Sequence, residues 1–131
     1  RRGDFLQVLK KHDIYYKIED SYYYNAINFF KSKLINPIFL VFSDDPEFVK
    51  SKFTDKKIIH ASQLGINQND DFQAMSQCDH FICINSTFSL WARYLSKNKH
   101  KISTKPKYWF SNKHLEKAFD YFPSTWSFEE I

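Results

Sequence analysis

Arg1 and Arg2 stand side by side, followed by Gly3 and Asp4. A guanidinium carries forked donors that fit two phosphate oxygens at once. Neighbours on an extended chain point opposite ways, so one arginine would meet a ligand while the other braces Asp4. Two surface arginines with no ligand are the plainer alternative. A second group is Asn85-Ser86-Thr87-Phe88-Ser89. It sets hydroxyls and backbone N–H groups at the start of a helix that follows an apolar strand, a ready anion site. Plain capping by Ser86 or Thr87 explains the same residues, and the two roles can coexist. Asp44 and Asp45 are adjacent, unlike the spaced D-x-D of many metal sites, and Asp45 precedes Pro46, where a helix needs its cap. A metal is therefore not expected, and Asp44 is left to hydrogen-bond near a site. Asp71 either caps the helix after it or serves a ligand. His60 and His80 fall on strands and read as structural, His114 as surface, and no Ser/His/Asp or Cys/His arrangement has support in the spacing.

These residues sit in a chain of 131 residues, long enough for one domain with its own core, of which 43 % are hydrophobic and 19 % aromatic. Gly3 and Gly65 are the only glycines, which excludes a glycine-rich phosphate loop. A phosphate site must come from side chains and helix N-termini. The net charge of +4 is a mild excess, and lysine-rich stretches such as residues 97–107 read as solvated faces. Basic lysines of this kind would allow peripheral contact with anionic lipid at the inner face of a membrane. Cys78 and Cys83 fit neither a zinc ribbon nor a disulfide framework and read as reduced, buried thiols of a cytosolic protein. No apolar run reaches the roughly 18 residues of a membrane-spanning helix, and no signal peptide is read. The abrupt start, without Met, leads us to expect a piece of a longer protein.

The elements that must position the site alternate. Residues 21–34 predict a helix capped by Asp20 or Ser21, with Tyr23, Ile27, Phe30 and Leu34 on one face, ended by Asn36-Pro37. Residues 38–42 form an apolar run typical of a strand buried on both faces. A helix is predicted over 46–53, a strand over 58–61, and a helix from Asp70 or Asp71 to Gln77 with Phe72, Met75 and Cys78 inward. A strand follows over 80–84, then a helix whose apolar face is Phe88, Trp91, Ala92 and Leu95, a strand over 101–104 and a helix over 112–122 stopped by Pro123. Such alternation predicts an α/β fold, one parallel sheet with helices on both faces. Ligands then bind at the C-terminal ends of the strands, where Asp44 and Ser86 both fall.

In order, R-R-G-D, Y-Y-Y-N-A-I, F-S-D-D-P, D-F-Q-A-M-S-Q-C-D-H-F-I, N-S-T-F-S-x-W-A and P-x-x-W-F resemble glycosyltransferase family 11, the α-1,2-fucosyltransferases, from Arg1 to about Phe110. The resemblance implies a Rossmann-like domain, the C-terminal half of a GT-B-type glycosyltransferase, with the whole of 1–131 as one GDP-fucose-binding domain. It implies an inverting transfer of L-fucose from GDP-fucose to the 2-hydroxyl of a galactose-terminated glycan, with no cofactor and no metal. The donor-binding set it implies is Arg1, Arg2, Asp4, Asp44, Asp71, Ser86, Thr87, Phe88 and Ser89. The arginine pair is catalytic on the pyrophosphate, Asp71 reads guanine N–H groups, and Asp44 and Asp45 support the site. The family's H-x-R-R-G-D motif would place a His just before Arg1. Leu90 stands where the family often has an aromatic residue, a change expected to alter packing alone.

Two other readings stay open at this point. A remnant that keeps the fold without activity would follow if the part before Arg1 were lost. A nucleic-acid-binding module would need exposed aromatics flanked by Lys or Arg. Here Tyr23, Phe30, Phe88 and Trp91 follow core periodicity instead, so no nucleic-acid partner is expected.

Overall fold

A computed structural model describes residues 14–111, 115 and 128–131. Arg1, Arg2, Asp4 and nearly all of the helix expected over 112–122 lie outside the described residues.

Helix α1 (Asp20–Lys33) begins one residue earlier than the sequence predicts. Glu19 occupies the cap position and makes no side-chain cap bond, while Asp20 sits in the first turn, where a negative charge favours the dipole. The expected cap by Asp20 or Ser21 is thus corrected: Asp20 instead pairs with Lys52 across the fold. Leu34 closes the helix, and Asn36 takes a left-handed φ of 55°, which Asn tolerates better than most residues.

Strand β1 (Phe39–Val41) leads through Ser43 into helix α2 (Pro46–Lys52). Asp45 caps α2, its Oδ1 accepting the Phe48 N–H at 3.0 Å, with Pro46 in the first turn. Asp45→Ala should cost about 1 kcal/mol, lowering the melting temperature by about 4 °C in a thermal scan. Strand β2 (Ile58–His60) pairs parallel with β1, with Leu40 opposite Ile59. Helix α3 (Asp71–Ser76) follows. Asp70 holds its cap position, but its carboxylate accepts from Asn67 Nδ2 at 2.5 Å rather than from the helix. Phe72, Met75 and Cys78 pack inward as the sequence predicts.

Strand β3 (Phe81–Ile82), helix α4 (Thr87–Leu95) and strand β4 (Ser103–Lys105) complete the alternation, and β5 (Glu129–Glu130) adds a third parallel strand beside β4. Phe81, Cys83, Leu90, Ala92 and Trp109 form the core cluster. The Leu90 position is therefore a packing position, 3 % exposed. The expected face of α4 holds for Ala92, which is fully buried, and is corrected for two other residues. Trp91 and Leu95 are 53 % and 54 % exposed, while Ser89, Leu90, Ala92 and Arg93 face inward. Small residues let α4 approach its neighbours closely. Arg93 is tolerated inside because its Nε donates to Ser103 Oγ at 2.8 Å and its guanidinium lies 4.5 Å from the Phe128 ring.

Among the described residues all strand pairs are parallel, as predicted, but they form two sheets rather than the expected one. The order is β1–β2 in one sheet and β3–β4–β5 in another. Between β1 and β3 runs a cavity of about 560 Å³ lined by both strands and by α1. Among the described residues no helix is long and apolar enough to cross a membrane.

Burial pushes the Cys83 thiol up to about 12 and raises that of Cys78 as well. Both are free, Cys83 fully buried and Cys78 half-buried. At pH 8 a thiol reagent should therefore label Cys78 well before Cys83, which should react only on unfolding, because the thiolate is the nucleophile. Peptide mapping of the labelled protein checks the order.

Candidate functional site

The C-terminal ends of β1 and β3 are held by two polar turns. In the first, Ser43 Oγ accepts the Asp45 N–H at 3.0 Å, and the Ser43 carbonyl accepts from His60 Nε2 at 2.9 Å. The hydrogen on Nε2 leaves Nδ1 to accept the Ser62 N–H at 3.2 Å. His60 is the structural histidine that the sequence predicts: it ties the end of β2 to the turn after β1. His80 is structural too, its Nδ1 accepting the Ile102 N–H at 3.0 Å. Asp45 is committed to its cap, and Asp44 lies half-buried beside it.

The second turn follows β3. Ser86 caps α4, its Oγ accepting the Phe88 N–H at 3.3 Å. The opening N–H groups of a helix have no intrahelical acceptor and carry its positive pole. Thr87 is exposed at this end. Ser89 is turned inward: its hydroxyl, with one proton, lies 3.0 Å from the Ser86 carbonyl and 3.3 Å from that of Ile84. Phe88 packs edge-on against Phe72, the rings 5.3 Å apart. That contact brings α3 against α4, and with it Asp71, the first residue of α3, which is 3 % exposed.

Ser43, Ser86, Phe88 and Ser89 all line the cavity between the sheets. Asp44 adjoins it through Ser43. Asp71 and Thr87 stand nearby but do not line the cavity. Among the described residues no group of three or more His, Cys, Asp or Glu side chains converges as a metal site would.

Asn85 opens the group singled out in the sequence, which gave it no role of its own. It is 2 % exposed, and its Nδ2 donates to the carbonyls of Tyr16 at 2.7 Å and Trp109 at 3.2 Å. Those two segments also join each other, Tyr16 N–H to the Trp109 carbonyl at 3.0 Å, with Tyr15 bridged antiparallel to Phe110. Tyr16 and Trp109 are thus pinned to Asn85, the residue before Ser86. Asn85 Oδ1 is buried without a hydrogen-bond partner among the described residues. Nothing local marks Asn85, since its partners lie far along the chain.

Comparison with known proteins gives a consistent picture. The family model described as glycosyl transferase family 11 matches residues 1–130. An alpha-1,2-colitosyltransferase of Escherichia coli is 32 % identical over 133 residues, covering 96 % of this chain and 44 % of that protein. The O-antigen biosynthesis glycosyltransferase WbnK of Escherichia coli is 28 % identical, over 89 % of this chain and 39 % of that protein. Galactoside alpha-(1,2)-fucosyltransferase 1 of Bos taurus is 33 % identical, over 73 % of this chain and 28 % of that protein. The chain spans less than half the length of these relatives. No solved structure matches it.

Proposed function

The chain belongs to glycosyl transferase family 11, and from that premise we propose that it is the donor-binding half of an inverting, GT-B-type fucosyltransferase. The enzyme transfers L-fucose from GDP-fucose to the 2-hydroxyl of a galactoside. The observation that carries this reading is that the Ser86-capped start of α4 and the Ser43 turn, each following the C-terminal end of a parallel strand, line one cavity. Open α/β folds take their ligands at that edge.

Departure of GDP builds negative charge on the leaving pyrophosphate. An arginine of the Arg1–Arg2 pair and the helix N-terminus stabilise that charge where it develops, without a metal. Asp4 braces the second arginine. Asp71, at the head of α3, takes guanine N–H groups, and Thr87 and Phe88 bound the phosphate and nucleoside side. The Ser89 hydroxyl already points at backbone carbonyls, so its part is to hold the helix start rather than to donate to phosphate. Asp44 supports the turn beside the site. The acceptor and its general base belong to the part of the protein outside these residues, and the work is done at the cytoplasmic side.

The name of the alpha-1,2-colitosyltransferase supports a second reading of the donor, a colitosyl group in place of fucosyl. A transfer assay on the full-length protein decides between them. GDP-fucose and a colitosyl nucleotide are each supplied with galactose-terminated acceptors, and the product linkage is read by NMR. An α-1,2-fucosylated product without added metal is expected. Transfer from the colitosyl donor alone replaces the donor assignment. No transfer from either, with no GDP binding by calorimetry, overturns the function and leaves the inactive remnant.

A further inference from the structure

A parallel strand bonds alternate residues to each neighbour. In β1, the Phe39 N–H goes to the Lys57 carbonyl at 2.8 Å beside β2, so Leu40 turns its N–H and C=O the other way. In β3, the N–H groups of Phe81 and Cys83 go to the carbonyls of Ile102 and Thr104 on the β4 side, at 3.0 and 2.9 Å, so Ile82 turns away from β4. Leu40 and Ile82 thus present backbone edges to the same cavity, whose lining they both join.

The two edges run the same way. The Tyr22 hydroxyl, near the start of α1, donates to the Cys83 carbonyl, past the end of β3. The Phe30 ring, in the second half of α1, lies 6.0 Å from His80, before β3 begins. Helix α1 therefore runs antiparallel to β3 and delivers the chain to the start of β1 at the end where β3 also starts. A helix laid antiparallel across two parallel strands is the crossover of a βαβ unit. Its strand before the helix has no place among the described residues except the cavity.

The side chains tell the same story. Tyr23, Ile27, Phe30 and Leu34, the apolar stripe of α1, line the cavity, and Tyr23 and Leu34 stay only half-buried. All three residues of β1 are only half-buried despite an apolar sequence suited to a central strand. Ile38, at the cavity's entrance, is 68 % exposed.

We propose that this slot holds one more β-strand, an apolar segment of the same polypeptide lying directly upstream of Arg1 in the longer protein, parallel to β1 and β3. It would join the two sheets into one, with the order β2, β1, inserted strand, β3, β4, β5. The run Phe5-Leu6-Gln7-Val8-Leu9 is a poorer occupant, because Gln7 would fall at the centre of a strand buried on both faces. A strand parallel to β1 and β3 would end on the side of Ser43 and Ser86, which sets Arg1 and Arg2 at the site. That last placement rests on the proposed function, while the strand itself does not. The matched relatives extend well beyond the matched portion.

The test uses the full-length protein with a diazirine-bearing leucine analogue at position 40 or at position 82, irradiated without donor. Both probes should cross-link to one segment within about six residues before Arg1, within a single polypeptide. Amide exchange at Leu40 and Ile82 should be at least about 100-fold slower than at exposed amides. Cross-links to residues 5–9, cross-links between isotopically distinct copies, or capture by solvent alone would each overturn the proposal. So would unprotected amides at both positions. Since no sugar is transferred in this experiment, its failure leaves the proposed activity standing, and an inactive protein leaves the strand testable.

Discussion

Alanine at whichever of Arg1 and Arg2 faces the donor should lower kcat of the full-length enzyme about 10²–10³-fold, roughly 2.7–4 kcal/mol of lost transition-state stabilisation. The other arginine, pointing to the opposite side of an extended chain, should cost less than about tenfold. The asymmetry matters because charge grows on the pyrophosphate only as the glycosidic bond breaks. A donor placed where that charge develops affects kcat more than the donor KM. Lysine at the sensitive position should restore little, since a point charge cannot make the forked pair of hydrogen bonds. Steady-state kinetics with GDP release as the readout check this. Two variants that both stay within tenfold of the parent would remove the arginines from the mechanism. The helix start capped by Ser86 would then be the remaining counter-charge.

Phe81→Ala should destabilise the protein by about 3–5 kcal/mol, read from the shift of the urea unfolding midpoint at constant slope. Phe81 is 2 % exposed and packs with Cys83, Leu90, Ala92 and Trp109, the cluster that joins β3 to α4 and to the 109–110 segment. Loss of the ring removes its transfer energy and leaves a cavity that these neighbours fill only in part. Small domains have about 5–15 kcal/mol in total, so this one change takes a large share. Phe81→Leu should lose less, because it keeps most of the apolar contact. A loss below 1 kcal/mol for Phe81→Ala would mean that this cluster does not organise the core.

Both predictions converge on the turn after β3, where packing and the proposed chemistry meet. Asn85 sits between them, tying Tyr16 and Trp109 to the head of α4. A buried amide that donates to two backbone carbonyls is costly to remove: the Trp109 carbonyl keeps the Tyr16 N–H, but the Tyr16 carbonyl loses the Asn85 bond.

The amino-acid sequence by itself determined what depends on a few neighbouring residues. The Asp45-Pro46 helix start and the Ser86 cap were legible because each signal and its partner lie within one turn of chain, and the alternation of short strands with helices because each element's own apolar pattern marks it. Tertiary structure alone decided which way α4 rolls. Its hydrophobic spacing pointed Trp91 and Leu95 inward together with Ala92, but close packing kept only Ala92 of these and added Ser89, Leu90 and Arg93, with Ser103 and Phe128 supplying partners for Arg93. The same holds for the bridging by Asn85, for the inward turn of the Ser89 hydroxyl and for the gap between β1 and β3. Hydrogen-bond capacity is written locally, whereas the group that satisfies it is chosen by which segments the fold brings together, and periodicity carries no record of that choice.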